Sequence, residues 1–170
     1  MKRIILLIAI AGLSTVAPAA LAALKDPTKL VLRKTDFPAG ARLTGKSGPV
    51  GSAAGRGYSV TFTYRTGATP NELSSSVSVF AARSTAVAMF HEAKAEIGTV
   101  PARLQLPKFG DEQIATFHVL DGARLMVRKG SIVWVLEWQT VIGTREMTRA
   151  EAIAEMKRYG AKQMRRVGRG

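Results

Sequence analysis

The chain has 170 residues, 25 Lys+Arg against 12 Asp+Glu, a formal net charge of +13, and no cysteine. The absence of thiols excludes disulfides and the attachment of lipid at a bacterial lipobox, so packing alone must hold the fold. A cationic surplus this large attracts anionic partners and aids solubility without specifying a fold.

Met1-Lys2-Arg3 precedes "IILLIAIAGLSTVAPAALAAL", residues 4–24, which carries no charge. Cations, a short apolar core, Pro18 and small residues at Ala20 and Ala22 read as a secretory signal peptide over residues 1–22, cleaved after Ala22. An uncleaved N-terminal membrane anchor is the alternative, since about 20 apolar residues span a bilayer; Ser14, Thr15 and Pro18 weigh against it. The expected destination is therefore outside the cytoplasm: periplasm, cell surface or medium. Residues 23–170 remain as one domain of ordinary size, with 23 Lys+Arg against the same 12 acids.

Residues 23–57 read as an irregular N-terminal segment, with one apolar run at Leu30 to Leu32, a turn at Pro38 to Gly40 and a glycine-rich loop, "GKSGPVGSAAGRG". "YSVTFTY" alternates strictly, placing Tyr58, Val60, Phe62 and Tyr64 on one face of a half-buried strand. "TGATPN" turns into a second strand, "ELSSSVSVFAA", with Ser74, Ser75, Ser76 and Ser78 expected on its polar side. Ser84 is placed as the cap of a helix whose stripe is Ala86, Val87, Phe90, Ala93 and Ile97, closed by Gly98 and Pro101. Strands follow over 113–120, 123–129 and 131–140, joined by two-residue turns at Asp121-Gly122 and Lys129-Gly130. Thr148 and Glu151 form a capping box that opens a final helix running towards Arg166. The expected fold is α+β: an antiparallel sheet of about five strands with two main helices packed on it.

The two turns imply a register in which Leu120 pairs with Ala123 and Arg128 with Ser131. One face then carries His118, Leu125, Val127, Ile132 and Trp134; the other carries Phe117, Val119, Met126, Val133 and Val135. Both faces are apolar and need covers, and a one-residue slip would exchange them.

Among candidate motifs, "GARLTGKS" at 40–47 satisfies the G-x-x-x-x-G-K-[ST] template of a phosphate loop. Such a loop must leave a buried strand and open a helix, whose N-terminal amides hold the phosphates. "KTDFPA" before it has no apolar run, and the glycines and proline after it break helices, so no nucleotide is expected. His91, Glu92 and Glu96 read as an exposed helix flank. The carboxylates of Asp111 and Glu112 point to opposite strand faces and read as a turn. None of the serines sits in a G-x-S-x-G elbow. No catalytic residue, metal or cofactor is assigned. The implied register puts His118 beside Leu125 and Trp134, where desolvation would depress its pKa. It is then either a buried neutral core histidine or the polar group of an apolar pocket, with Trp134 as the other candidate lining residue.

"SVSVFAARSTAVAMF", "FGDEQIA" and "LMVRKGSIVWVLEW" followed by a terminal helix resemble small exported bacterial modules, the PsbP-like lipoproteins and the extracellular sensor domains of actinobacterial kinases. The resemblance covers about residues 73–166. It implies an antiparallel sheet covered by helices in proteins that mostly bind or scaffold. This chain lacks the lipobox of the former and the cysteine pairs of the latter, and no functional residue is carried over.

At 100° per residue, Ile153, Met156, Gly160, Met164 and Val167 gather on one side of the final helix. Arg158, Lys162, Arg165 and Arg166 gather on the other, with no acid after Glu155. Those four cations are the candidate contact for an anionic surface; the plainer reading is a solvated helix whose charges suit its dipole. The expectation is a non-catalytic exported domain that binds or scaffolds at the cell envelope through a basic surface. Its partner would be an acidic lipid or polymer, or another exported protein; nucleic acid is not expected outside the cytoplasm. The alternative is a carrier or sensor of an apolar small molecule held between sheet and helix.

Overall fold

Period-two burial and well-placed turns build most of this molecule. The computed structural model describes residues 24–52, 54–97, 102–119, 121–141 and 146–169, so the signal segment and the expected helix stops at Gly98 and Pro101 lie outside the described residues. In chain order it has α1 (Pro27–Leu30), a 3-10 turn (Lys34–Asp36), β1 (Arg42–Ser52), β2 (Gly55–Thr66), β3 (Thr69–Phe80) and α2 (Arg83–Ile97). Then come β4 (Glu112–His118), β5 (Gly122–Lys129), β6 (Ile132–Thr140) and α3 (Arg149–Arg169). The strands form one antiparallel sheet in the order β1-β2-β3-β6-β5-β4.

The fold is thus α+β, with one strand and one short helix more than expected. Both additions fall in residues 23–57, which are not irregular. β1 escapes a pattern search because it is an edge strand with no buried residue; backbone pairing to β2, not side-chain burial, holds it there. α1 is a single turn, capped by the Asp26 carboxylate, which accepts from the Thr28 N–H at 3.0 Å. Its Leu30, with Val31 and Leu32 beyond it, is buried in the core. The long glycine-rich stretch is the outer hairpin, β1 running into β2.

Each face of the sheet has its own core. On the first, Phe62, Leu73, Val77, Leu125, Trp134 and Leu136 are sealed by α3 and by residues 24–41. On the second, Ile114, Met126 and Val133 meet Phe80 and the stripe of α2, Ala86, Phe90, Ala93 and Ile97. Arg83 already belongs to α2, so Ser84 lies in its first turn instead of capping it. α2 covers the β3, β5 and β6 side. Over β1 and β2 this face is polar, with Ser59, Thr61 and Thr63 on β2 half-buried beside Ser74 and Ser76 on β3.

The inner meander departs from the expected register. Phe117 pairs with Ala123 and His118 with Gly122, which leaves three residues in the first turn instead of two. The reason is Gly122: its φ of +91° is used at the first position of β5, where a Cβ would stand 2.0 Å from the Trp138 carbonyl oxygen. The odd shift exchanges the faces of β4, so Phe117 joins Leu125 and Trp134 while His118 goes to the other side. In the second turn Lys129 pairs with Ile132. That displacement is even, so Leu125, Val127 and Trp134 keep their common face.

The two margins of the sheet differ. β4 is flanked by residues 102–104: the Leu104 N–H donates to the Ala115 carbonyl at 2.9 Å, and the Phe117 N–H donates to that of Ala102 at 2.8 Å. β1 has no strand outside it among the described residues, and its ladder with β2 slips between Leu43 and Gly45 and again between Ser47 and Val50. The second slip contains Pro49, which has no N–H.

Candidate functional site

The final helix begins at the expected capping box. The Thr148 Oγ1 accepts from the Glu151 N–H at 3.2 Å, and the Glu151 carboxylate accepts from the Thr148 N–H at 3.0 Å and hydroxyl at 2.9 Å. Of the expected apolar stripe, Met156, Gly160 and Val167 are buried; Ile153 and Met164 are only half-buried. The buried line is rotated towards Ala152, Glu155, Tyr159 and Gln163. Gly160 sits where α3 packs tightly on the core, since a Cβ there would be 2.9 Å from the Phe109 ring and 3.0 Å from the Leu125 side chain.

Three of the buried groups are polar, and two of them, Glu155 and Gln163, are pinned to other elements by hydrogen bonds. The Gln163 amide, fully buried, donates to the Leu30 carbonyl at 2.6 Å and accepts from the Ser75 hydroxyl at 2.9 Å. Ser75 in turn accepts from the Leu32 N–H at 3.2 Å. Ser75 therefore belongs to the core row of β3, between Leu73 and Val77, and not to its polar side. Glu155 accepts a 2.5 Å hydrogen bond from the Tyr64 hydroxyl. Phe37 stacks on Phe62 at 4.5 Å and leans on Tyr159 at 4.9 Å, closing an aromatic cluster around this pair. Burial, with the Glu155 charge adding to it, pushes the Tyr64 phenol far above its ordinary range, and the same causes push Tyr159 up to about 12. Both phenols stay protonated, and the Tyr159 hydroxyl has no hydrogen-bond partner among the described residues.

The four expected cations do line one flank of α3, but they fall into two pairs. Arg158 and Arg165 are exposed, with Arg158 at 3.6 Å from Glu155. Lys162 and Arg166 are half-buried and hold the 3-10 turn. Arg166 reaches the Asp36 carboxylate at 2.6 Å and 2.8 Å, and Lys162 donates to the Asp36 backbone carbonyl while lying 5.2 Å from the centre of the Tyr159 ring. Desolvation, followed by the charge of Arg158, pulls the Lys162 ammonium below its ordinary pKa. These two side chains are structural as well as cationic.

The exposed charge of this layer comes from both of its segments. Lys25, Lys29 and Lys34 in the N-terminal segment, with Lys157 and Arg165 on α3, are exposed and form no ion pair among the described residues. Together, residues 24–41 and 146–168 hold ten Lys+Arg against five Asp+Glu. The helix on the opposite face, α2, holds two of each. The positive surplus of the helical layers is therefore one-sided.

The structure does not bring the other candidate pair together. Trp134 is fully buried on the α3 face, whereas His118 lies on the opposite face at the end of β4 with 38% of its side chain exposed. Its Nδ1 is 2.9 Å from the Asp121 carboxylate, outside hydrogen-bonding geometry. The slipped register removes both the core and the pocket reading of this histidine. Trp134 and Trp138 do share a face, and neither indole N–H has a partner among the described residues.

The remaining motifs resolve into structure. His91 contacts Glu112 at 2.8 Å, and Glu112 holds the buried Arg128 guanidinium at 2.7 Å. Asp111 reaches the same guanidinium at 3.1 Å and accepts from the Gly130 N–H at 2.9 Å. Adjacent carboxylates do converge, because Asp111 precedes the strand and is not bound by its alternation. The Gly130 N–H is the main cause holding the Asp111 carboxyl below its ordinary range; for Glu112 it is the His91 contact, then Arg128. No cluster of three or more metal-ligating side chains exists among the described residues. The Gly40–Ser47 stretch enters edge strand β1, where Lys46 pairs with Val60, and the next described element is strand β2 and not a helix. No helix among the described residues is long and apolar enough to cross a membrane. Comparison of the chain with family models, with curated proteins and with solved structures gives no match.

Proposed function

We propose that this chain is a non-catalytic exported domain that binds or scaffolds at the cell envelope through the basic surface formed by α3 and residues 24–41. The observation that carries this reading is the charge difference between the two helical layers, ten cations against five acids on one side and two against two on the other. Export, which comes from the character of residues 1–22, supplies the setting in which acidic lipids and polymers are the abundant anions. Arg158 and Arg165 contribute directly, whereas Lys162 and Arg166 contribute charge from fixed positions.

The test is retention by envelope extract. Exchanging Lys25, Lys29, Lys34, Lys157 and Arg165 for glutamine removes exposed cations that form no ion pair among the described residues. Retention that falls about tenfold or more and disappears at high salt fits the reading, because exposed charges are screened. Equal retention of the variant and the parent overturns it. A second reading, a carrier of an apolar molecule beneath α3, draws on the unpartnered Trp134, Trp138 and Tyr159 polar atoms on that face. Mass spectrometry of the native protein for a copurifying small molecule decides it.

A further inference from the structure

Resting on that envelope reading, we propose that the anionic partner is the acidic-lipid surface of a bilayer, on which the domain lies with its α1–α3 side down. The path of the chain is the first argument. Leu24 is the last residue of the uncharged run 4–24, and its side chain packs against the core that α3 covers. Only Lys25 and Asp26, at most about 7 Å of extended chain, separate that run from α1. During export, and for as long as the run is retained, the membrane is therefore attached to this side of the domain with almost no slack. Cleavage before Ala23 would leave a terminal ammonium in the same place.

The second argument is how the charges are displayed. Lys25, Lys29 and Lys34 stand on the segment that leaves the apolar run, and Lys157 and Arg165 on the helix beside it. They are long, exposed side chains spread over two segments and form no ion pair among the described residues. Such an array suits many mobile headgroups, each cation adding a small increment near an anionic leaflet. Recognition of one fixed anion would instead call for convergent, held donors. The held donors of this layer, Lys162 and Arg166, are turned to Asp36. On the opposite face, α2 has no cationic surplus to compete for the surface.

The absence of cysteine allows single nitroxide labels on the full chain. The labels go at the exposed Ala154→Cys on α3 and Ala95→Cys on α2, in vesicles of phosphatidylcholine with or without phosphatidylglycerol. With about 30% phosphatidylglycerol at low salt, the Ala154→Cys label should sit at headgroup level by oxygen and nickel relaxation, and return to water in about 0.5 M salt. The Ala95→Cys label should stay aqueous throughout. Glutamine at Lys25, Lys29, Lys34, Lys157 and Arg165 should release the α3 label while leaving the circular dichroism unchanged. An aqueous α3 label in acidic vesicles overturns the proposal, as does equal behaviour of the two labels or of the two lipids. If the same chain still binds soluble anionic envelope polymer with salt sensitivity, only the lipid assignment falls. If it binds neither, the envelope reading falls with it.

Discussion

The two helices solve the same problem by different means. α2 closes the second face with the apolar stripe Ala86, Phe90, Ala93 and Ile97, while its polar contact to the sheet, His91 to Glu112, lies at the exposed rim. α3 closes the first face with an apolar line interrupted by Glu155, Tyr159 and Gln163, and it also fastens residues 24–41. Burial without direction tolerates sliding; buried polar groups stabilise one position, because any other leaves them unpaired. The layer with the pins is also the layer with the surplus charge. Its cations are thereby held on a surface of defined shape.

Phe90→Ala should have the largest effect, destabilising by about 4 kcal/mol through lost burial and a cavity under α2. The urea midpoint measures it, and the α3 side should keep its protection from hydrogen exchange. Gln163→Leu should cost about 2–3 kcal/mol, since it strands the Ser75 hydroxyl and the Leu30 carbonyl in the core. Its distinguishing mark is early proteolysis between residues 24 and 36, where Phe90→Ala should show none. If both variants open the N-terminal segment equally, the division of labour between the helices is wrong.

Acid should act on the α2 side. The folded Asp111 and Glu112 carboxyls titrate below their ordinary values of 3.8 and 4.5. Their contribution is therefore complete above those values and lost as pH falls through the lower, folded ones. Protonating both leaves Arg128, with 5% of its side chain exposed, without a counter-charge. Thermal melts between pH 6 and 3 should show a loss of stability that Asp111→Asn with Glu112→Gln flattens. The smallest effect belongs to Arg166→Gln. Breaking its half-buried pair with Asp36 should cost about 1 kcal/mol, and the loss should shrink with salt. A loss as large as that of Gln163→Leu would make the pair, not the amide network, the main fastening.

What could be read from residue order follows from which elements carry a burial pattern. "YSVTFTY", the α2 stripe and the Thr148–Glu151 box declare themselves, because side chains alternate or cap there. β1 does not, since an edge strand with no buried residue leaves no apolar trace. The inner register turns on one glycine: a positive φ fits either the second place of a short turn or the first place of a strand, and Gly122 takes the latter. At the candidate site the four cations of α3 were legible as a strip, but not that Lys162 and Arg166 are engaged, because Asp36 lies 126 and 130 residues away. Ser75 reads as part of the polar side of its strand, and neither Glu155 nor Gln163 stands out as a core residue. The signal was present all the same: Ser75 falls in the Leu73–Val77 row, and Gln163 sits one turn from both Tyr159 and Val167.

The unequal margins of the sheet bear on how this domain behaves in company. A straight, bare strand edge is a template on which another chain can extend a sheet, and the end of that road is fibre. Here residues 102–104 occupy one margin. The other is broken by two slips, lacks a donor at Pro49 and carries the charge of Lys46. Neither margin offers an incoming strand a continuous ladder. A protein gathered at high local density on a surface needs that safeguard more than one dispersed in bulk, and this sheet has it at both ends.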